Sequence, residues 1–243
     1  MTDEREQGLQ RFLKGVEELK IQLKEEQLQQ FISYYELLVE WNKVMNLTAI
    51  TEFEDVVIKH FLDSLSLVKV MKLSSERILD MGTGAGFPGI PLKIAFPGLK
   101  VVLLDSLKKR ILFLEEVIQA LNLKEIKAIH GRAEDYGREK DYRESFDLCV
   151  SRAVARLSVL SEYCLPYVKQ GGYFIPYKSG RMEEEVKEAD QALKILGAEV
   201  ERTEEFLLPG TDIVRSLILV RKSKTTSLKY PRSAGKPAKE PLR

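Results

Sequence analysis

Two cysteines, two histidines and a single tryptophan in 243 residues leave little material for metal or thiol chemistry. Cys149, Cys164, His60 and His130 stand at no ligand spacing, which predicts no metal site and reduced thiols of the kind a cytoplasm keeps. No apolar run approaches the roughly 18–20 residues that cross a bilayer. Residues 1–7 carry no apolar stretch of the secretory type, so neither a membrane span nor a leader is expected and a cytoplasmic location is. Net charge is nearly absent too: 38 basic residues face 37 acidic ones. That balance hides an asymmetry. From Lys222 onward seven basic residues meet Glu240 alone, leaving 31 against 36 in the remainder. Such an end either solubilises the chain or meets an anionic partner, RNA first among candidates. With 44% hydrophobic residues, the chain can build a sizeable core without covalent staples.

Three zones are legible. Residues 1–72 read as helical, with Leu28, Phe31, Ile32, Tyr35, Leu38 and Val39 at helical spacing before Trp41. Residues 42–46 read as a break, and Thr51 with Glu54 as a capping box opening the next helix. Residues 73–221 alternate: strands at 77–81, 100–105, 126–130, 146–151 and 171–177 are separated by helices at 89–96, 107–121 and 156–168, and a further helix follows at 182–196. That order predicts βαβ units and a mostly parallel α/β sheet covered on both faces. Segments 198–207 and 213–221 are joined by a turn too short for a crossover, which predicts an antiparallel edge hairpin. Residues 222–243, with Pro231, Gly235, Pro237 and Pro241, read as a tail without helix or strand, mobile or laid over the surface.

The chemical centre is the run Asp80-Met81-Gly82-Thr83-Gly84-Ala85-Gly86-Phe87-Pro88-Gly89, where a strand feeds alternate glycines and then a helix. Glycine is needed where the chain turns at positive φ or a ligand approaches the backbone too closely for a Cβ. A dinucleotide fingerprint asks for a third glycine three residues after the second; Phe87 stands there. An acid two residues before the first of three alternate glycines suits S-adenosylmethionine, Asp80 answering its ammonium. Asp105, closing the second strand, can take ribose hydroxyls of either nucleoside. Residues 131–135 leave the third strand where adenine would sit. Arg152 leaves the fourth, beside the reacting methyl, with a salt bridge to the surplus acids as its alternative role. Cys149 and Cys164 fall on a strand and a helix rather than a flexible loop, which argues against cysteine-dependent carbon methylation. No Pro-Pro occurs, which argues against the usual clamp on exocyclic amines. A lone pair such as guanine N7 needs no deprotonation and fits what remains. A nicotinamide-dependent oxidoreductase and a noncatalytic RNA-binding module stay open on residues alone.

The sequence resembles the RsmG (GidB) family, bacterial methyltransferases acting on N7 of one guanine in small-subunit 16S rRNA. The resemblance is carried by Trp41-Asn42, Asn46-Leu47-Thr48, His60-Phe61-Leu62-Asp63-Ser64-Leu65, Asp80 to Pro88, Asp105-Ser106-Leu107 with Lys109-Arg110, Arg132-Ala133-Glu134, the stretch from Ser151 to Ala155, and Tyr230-Pro231-Arg232. It implies a Rossmann-like class I methyltransferase domain and cofactor contacts at Gly82, Phe87, Ala133, Glu134 and Arg152. With Asp80, Gly84, Gly86, Asp105 and Ser106 these form the candidate cofactor set; Arg152 is also the candidate for positioning the substrate. It implies 16S rRNA, within the small subunit, as partner, with Lys108, Lys109, Arg110, Lys178 and Arg181 as candidate RNA contacts. No obligate protein partner is inferred. His60 reads as a packing residue and Asp63 as a docking residue for its helix.

Overall fold

Apolar residues in consecutive pairs, rather than in alternation, place the central strands between two cores. In the computed structural model, which describes residues 3–152, 155–180 and 182–242, Ile78, Val101, Leu103, Leu148 and Val150 pack into one cluster while Leu79, Val102, Leu104 and Cys149 pack into the other. That two-sided burial is what a covered parallel sheet requires. The sheet has seven strands in the order β3-β2-β1-β4-β5-β7-β6. These are β1 (Arg77–Met81), β2 (Lys100–Asp105), β3 (Ile126–His130), β4 (Phe146–Ser151), β5 (Val168–Lys178), β6 (Ala198–Leu207) and β7 (Val214–Lys222). The first five run parallel; β7 is antiparallel to both β5 and β6, giving the expected edge hairpin. The arrangement is the Rossmann-like one that the resemblance implies.

The first core lies beneath an N-terminal helical layer. It comprises α1 (Asp3–Glu18), α2 (Glu25–Met45), and a run of α3 (Phe53–Val56), a wider π-helical stretch (Val57–Leu62), α4 (Asp63–Leu65) and a tight 3-10 turn (Ser66–Lys69). Phe12, Phe31, Tyr34 and Phe61 knit it together, with ring centroids 5.1–5.2 Å apart for Phe12–Phe31, Phe31–Phe61 and Tyr34–Phe61. Such pairs add about 0.5–1.5 kcal/mol each beyond burial. The connecting helices are α5 (Gly89–Ala95) and α6 (Lys108–Ala120) on this side, and α8 (Leu157–Cys164) and α9 (Glu183–Ile195) on the other; α7 (Ala133–Tyr136) is a single turn after β3.

The differences from the sequence reading have local causes. Residues 42–46 do not interrupt α2, which runs to Met45 and stops at Asn46 in the left-handed region (φ 49°). Asn42 acts from inside the helix, its Oδ1 accepting the Thr48 N–H at 2.9 Å. The capping box does not form: Glu52 holds the cap position without a side-chain hydrogen bond, and Thr51 is turned to Tyr35, whose hydroxyl donates to its carbonyl. The helix expected to 168 ends at Cys164, followed by a 3-10 turn at Leu165–Tyr167 and then β5. The tail is laid over the surface and contains one helical turn, α10 (Lys236–Lys239), where none was expected. Pro237 is tolerated there because it sits in the first turn, where its missing N–H has no intrahelical partner to lose.

Candidate active site

β1 drops into the glycine loop, and the loop is bonded across to β2. The Gly82 and Thr83 N–H groups both donate to the Leu104 carbonyl, at 2.9 and 3.2 Å. Gly82, Gly84 and Gly86 all take positive φ (67°, 62°, 100°), the conformation that side chains resist. Two of them differ in what surrounds them. A Cβ on Gly86 would come within 2.5 Å of Ile90 and 2.7 Å of the Tyr34 hydroxyl, so that glycine serves packing. A Cβ on Gly84 would meet nothing within 4 Å, so that glycine faces open space.

Asp80 is completely buried. Its Oδ2 accepts from the Thr83 hydroxyl at 2.6 Å and from the Gly89 N–H at 2.8 Å, clamping the loop to the start of α5. Its Oδ1 has no partner among the described residues. Burial pushes this carboxyl up to about 6, against the pull of the Thr83 and Gly89 hydrogen bonds. An unpartnered buried acceptor is costly and marks a place where a donor belongs. Asp105, also buried, accepts from the Leu107 N–H at 2.9 Å, the Gly84 N–H at 3.0 Å and Arg110 Nη1 at 3.1 Å. Three bonds on a carboxylate with about four acceptor sites leave room for one more donor unless Arg110 or Gly84 yields. Ser106 beside it is exposed, its carbonyl 3.1 Å from His130 Nε2. An acid with a free buried oxygen, and a glycine with no neighbour at its Cβ position, fit the amino-acid end and close backbone approach of S-adenosylmethionine.

Ala133 and Glu134 begin α7. The Ala133 carbonyl accepts from the Tyr167 hydroxyl at 2.7 Å, and buried Glu134 accepts from the Gly235 N–H at 2.8 Å. Phe87 belongs to the first core rather than to an open wall: its ring stacks on His60 (centroids 4.5 Å) and the Arg152 guanidinium lies 5.1 Å above it. The nine residues from Asp80 round to Glu134 therefore cluster at the carboxyl ends of β1, β2 and β3, and Arg152 follows at the end of β4.

Arg152 is held from three sides. Its Nη1 donates to Asp63 Oδ2 at 2.8 Å and to the Lys59 carbonyl at 3.3 Å, and its Nη2 donates to His60 Nδ1 at 3.1 Å. His60 must then be the neutral tautomer whose Nε2–H meets Thr48 Oγ1 at 2.8 Å. Burial and the neighbouring Arg152 push the imidazole down to about 3. The other Asp63 oxygen accepts from Arg215 Nε at 2.8 Å. Sequence reading assigned His60 to packing and Asp63 to docking; both also orient Arg152. Arg215 on β7 gave no sequence signal, and Tyr34, which reads as N-terminal core by its helical spacing, also donates its hydroxyl to the Ala85 carbonyl and so props the glycine loop. Asp63, Arg152 and Arg215 line a cleft of about 740 Å³ with Lys59, Tyr177 and Lys178. Lys178 is engaged by Glu185 and the Ala155 carbonyl, and Arg110 by Asp105, whereas Lys108 and Lys109 are exposed. Arg181 and the stretch 153–154 lie outside the described residues.

The family model described as rRNA small subunit methyltransferase G matches residues 27–214. A ribosomal RNA small subunit methyltransferase G from Lachnoclostridium phytofermentans is 59% identical over 95% of this chain and 96% of its own length. Its counterpart from Acetivibrio thermocellus is 51% identical over 99% of both. Among solved structures, P. horikoshii TYW2 in complex with MeSAdo shares the fold (TM-score 0.51, 18% identity, 68% of this chain and 62% of that one). YcgJ from Bacillus subtilis does so at a TM-score of 0.52 and 14% identity, covering 68% of this chain and all of its own. The chain belongs to the ribosomal RNA small subunit methyltransferase G (GidB) family.

Proposed function

We propose that this protein transfers a methyl group from S-adenosylmethionine to N7 of one guanine in small-subunit 16S rRNA, in the cytoplasm and on the small ribosomal subunit. The observation that carries the reading is the glycine loop of a chain of this family, with the Asp80 Oδ1 left without a donor and the Gly84 face open. Asp80 would hold the cofactor's ammonium, Gly82 and Gly84 would let its amino-acid end approach, Asp105, Ser106, Ala133 and Glu134 would enclose the nucleoside, and Phe87 would back the loop from the core. When bound, the cofactor supplies a methyl carbon made electrophilic by a sulfonium sulfur. What the chain then contributes is alignment, since guanine N7 attacks with a lone pair and needs no base. In-line contact at about 3–3.5 Å is the geometry to be imposed. The clustered residues suit that division of labour. The one imidazole near Arg152 is pinned in its neutral form by two hydrogen bonds and so is a support rather than a proton acceptor. Arg152 can direct a guanidinium N–H to guanine O6 while leaving N7 free; bidentate readout of both would block the attacking atom. A dinucleotide is disfavoured because Phe87, at the third-glycine position, fills the space between His60 and Arg152.

Incubating the protein with labelled S-adenosylmethionine and small subunits lacking the mark is expected to label 16S rRNA. Chemical cleavage at 7-methylguanine is expected to give one break. Absence of label on subunits, partly assembled particles and naked RNA alike would refute the proposal.

A further inference from the structure

Among the described residues, the carboxylate of Glu134 takes one hydrogen bond, and it comes from the C-terminal tail: the Gly235 N–H donates to Oε1 at 2.8 Å. Glu134 is 7% exposed and sits on a helical turn of only four residues. The tail reaches it along a built track. The Arg143 guanidinium gathers the carbonyls of Gly137, Thr226, Ser227 and Tyr230 at 2.7–3.1 Å. Arg138 Nη2 donates to the Pro231 carbonyl at 2.6 Å. Arg232 then closes on Glu162, a carboxylate 1% exposed, through its backbone N–H, Nε and Nη2 at 2.6–2.9 Å. Pro231 sits so close to the far end of the same turn that a Cβ on Gly137 would come 3.0 Å from its ring. Both ends of the Glu134 turn are therefore in the grip of residues 230–235.

The composition of the tail suggested an arm reaching for RNA. Its most buried cations do something else: Lys222 is fully buried against the Leu165 carbonyl, Thr226 and Glu144, and Arg232 is paired with Glu162. We infer that residues 230–235 form a strap that positions Glu134 for the nucleoside of the cofactor, making the tail part of the cofactor site. This rests on the proposed use of S-adenosylmethionine and adds a positioning role that the family relationship does not assign. A strap that favours the bound geometry must in turn be favoured by the ligand, because coupling between two sites is reciprocal.

The test is calorimetric titration of the full chain with S-adenosylhomocysteine, with filter binding to 16S rRNA in parallel. Gly235→Pro removes the donated N–H and, because Gly235 stands at φ 78° where proline cannot, also displaces the strap there; Arg232→Gln unfastens it one step earlier. Loss of a hydrogen bond to a charged group corresponds to roughly ten-fold in affinity. Gly235→Pro, which loses that bond and displaces the strap, is therefore expected to weaken S-adenosylhomocysteine by at least about ten-fold and Arg232→Gln by several-fold, with RNA affinity within two-fold of the parent. In a Glu134→Ala background neither strap change should weaken the ligand further, an outcome that a general loss of folding would not give. Ligand should also slow amide exchange at residues 230–235 in the parent. Unchanged ligand affinity in the strap variants, or full additivity with Glu134→Ala, overturns the strap alone. A parent protein that binds no S-adenosylhomocysteine overturns the methyltransferase reading and the strap together.

Discussion

The N-terminal layer and the C-terminal tail both lie outside the sheet and both press on its cofactor end, yet they do so by opposite means. The N-terminal layer uses aromatic burial: Phe61 stacks on Tyr34, Phe87 packs tilted against it, and Gln27 caps α5 through the Ile94 and Ala95 carbonyls. The tail packs Tyr230 and Leu242 on the second core and buries Pro231 and Pro237, but is fastened by guanidinium groups on backbone carbonyls and on Glu162. Burial of large side chains is strong and leaves a periodic trace in sequence. Carbonyl capture is directional and leaves none, because any residue has a carbonyl.

The comparison can be broken at its strongest point first. Phe61→Ala empties a fully buried ring position in the N-terminal layer and is expected to destabilise by about 3–5 kcal/mol, read as a fall in the urea midpoint. A loss below 1 kcal/mol would mean that the layer does not support the sheet. Next is Asp63→Ala, which leaves Arg152 and Arg215 facing one another without their shared carboxylate. About 2 kcal/mol of stability is expected to go, less than for a fully buried pair because both arginines are partly exposed. Methyl transfer should fall in kcat more than in KM for the cofactor, and equal effects on both would place Asp63 in structure alone.

Acidification sharpens the contrast, because it acts on the N-terminal layer and leaves the tail's arginines charged. His60 titrates at about 3 in the folded chain against about 6.5 unfolded, so the unfolded chain takes up the proton first as pH falls. Its contribution is complete above about pH 6.5 and declines toward pH 3, by about 2 kcal/mol at pH 5. Asp80 works in the opposite sense: its carboxyl, raised to about 6, favours the folded state below pH 4 and loses that contribution as pH passes 6. The difference in urea midpoint between parent and His60→Gln, followed from pH 7.5 to 5, isolates the imidazole; a flat difference would show that His60 is not held neutral. The smallest effect belongs to the exposed cations Lys236 and Lys239. Replacing both with Gln should leave stability within about 0.5 kcal/mol and lower RNA affinity only at low salt.

What could be read from sequence followed the same divide. Strand–helix alternation and paired apolar residues placed the sheet, its order of elements and its edge hairpin, since two-sided burial requires such runs. Asp80, the glycines and Asp105 were legible because positive φ and a strand-end acid are demands on residue type. Arg152 was legible as a candidate, but not its restraint by Asp63 and His60, which depends on folding back a segment some ninety positions earlier. The break expected at residues 42–46 falls at their end, at Asn46, with Asn42 bonded locally to Thr48 across it, and the cap expected at Thr51 does not form, its carbonyl being taken by Tyr35 from α2. Of the two states expected for the tail, mobile or laid over the surface, the second holds, and what fastens it could not be read for a related reason. Seven basic residues read as solubilising or as meeting an anionic partner, while Lys222 and Arg232 find their carboxylates only in the folded protein.

The central claim is that the crevice at the end of β1 holds a sulfonium nucleoside, and a crystal structure of the protein soaked with S-adenosylmethionine tests it most directly. The expected electron density places the methionine end beside Gly82 and Gly84 with its ammonium donating to Asp80 Oδ1 and its ribose at Asp105. Density for the ligand elsewhere, with Asp80 Oδ1 still lacking a donor, would contradict the account.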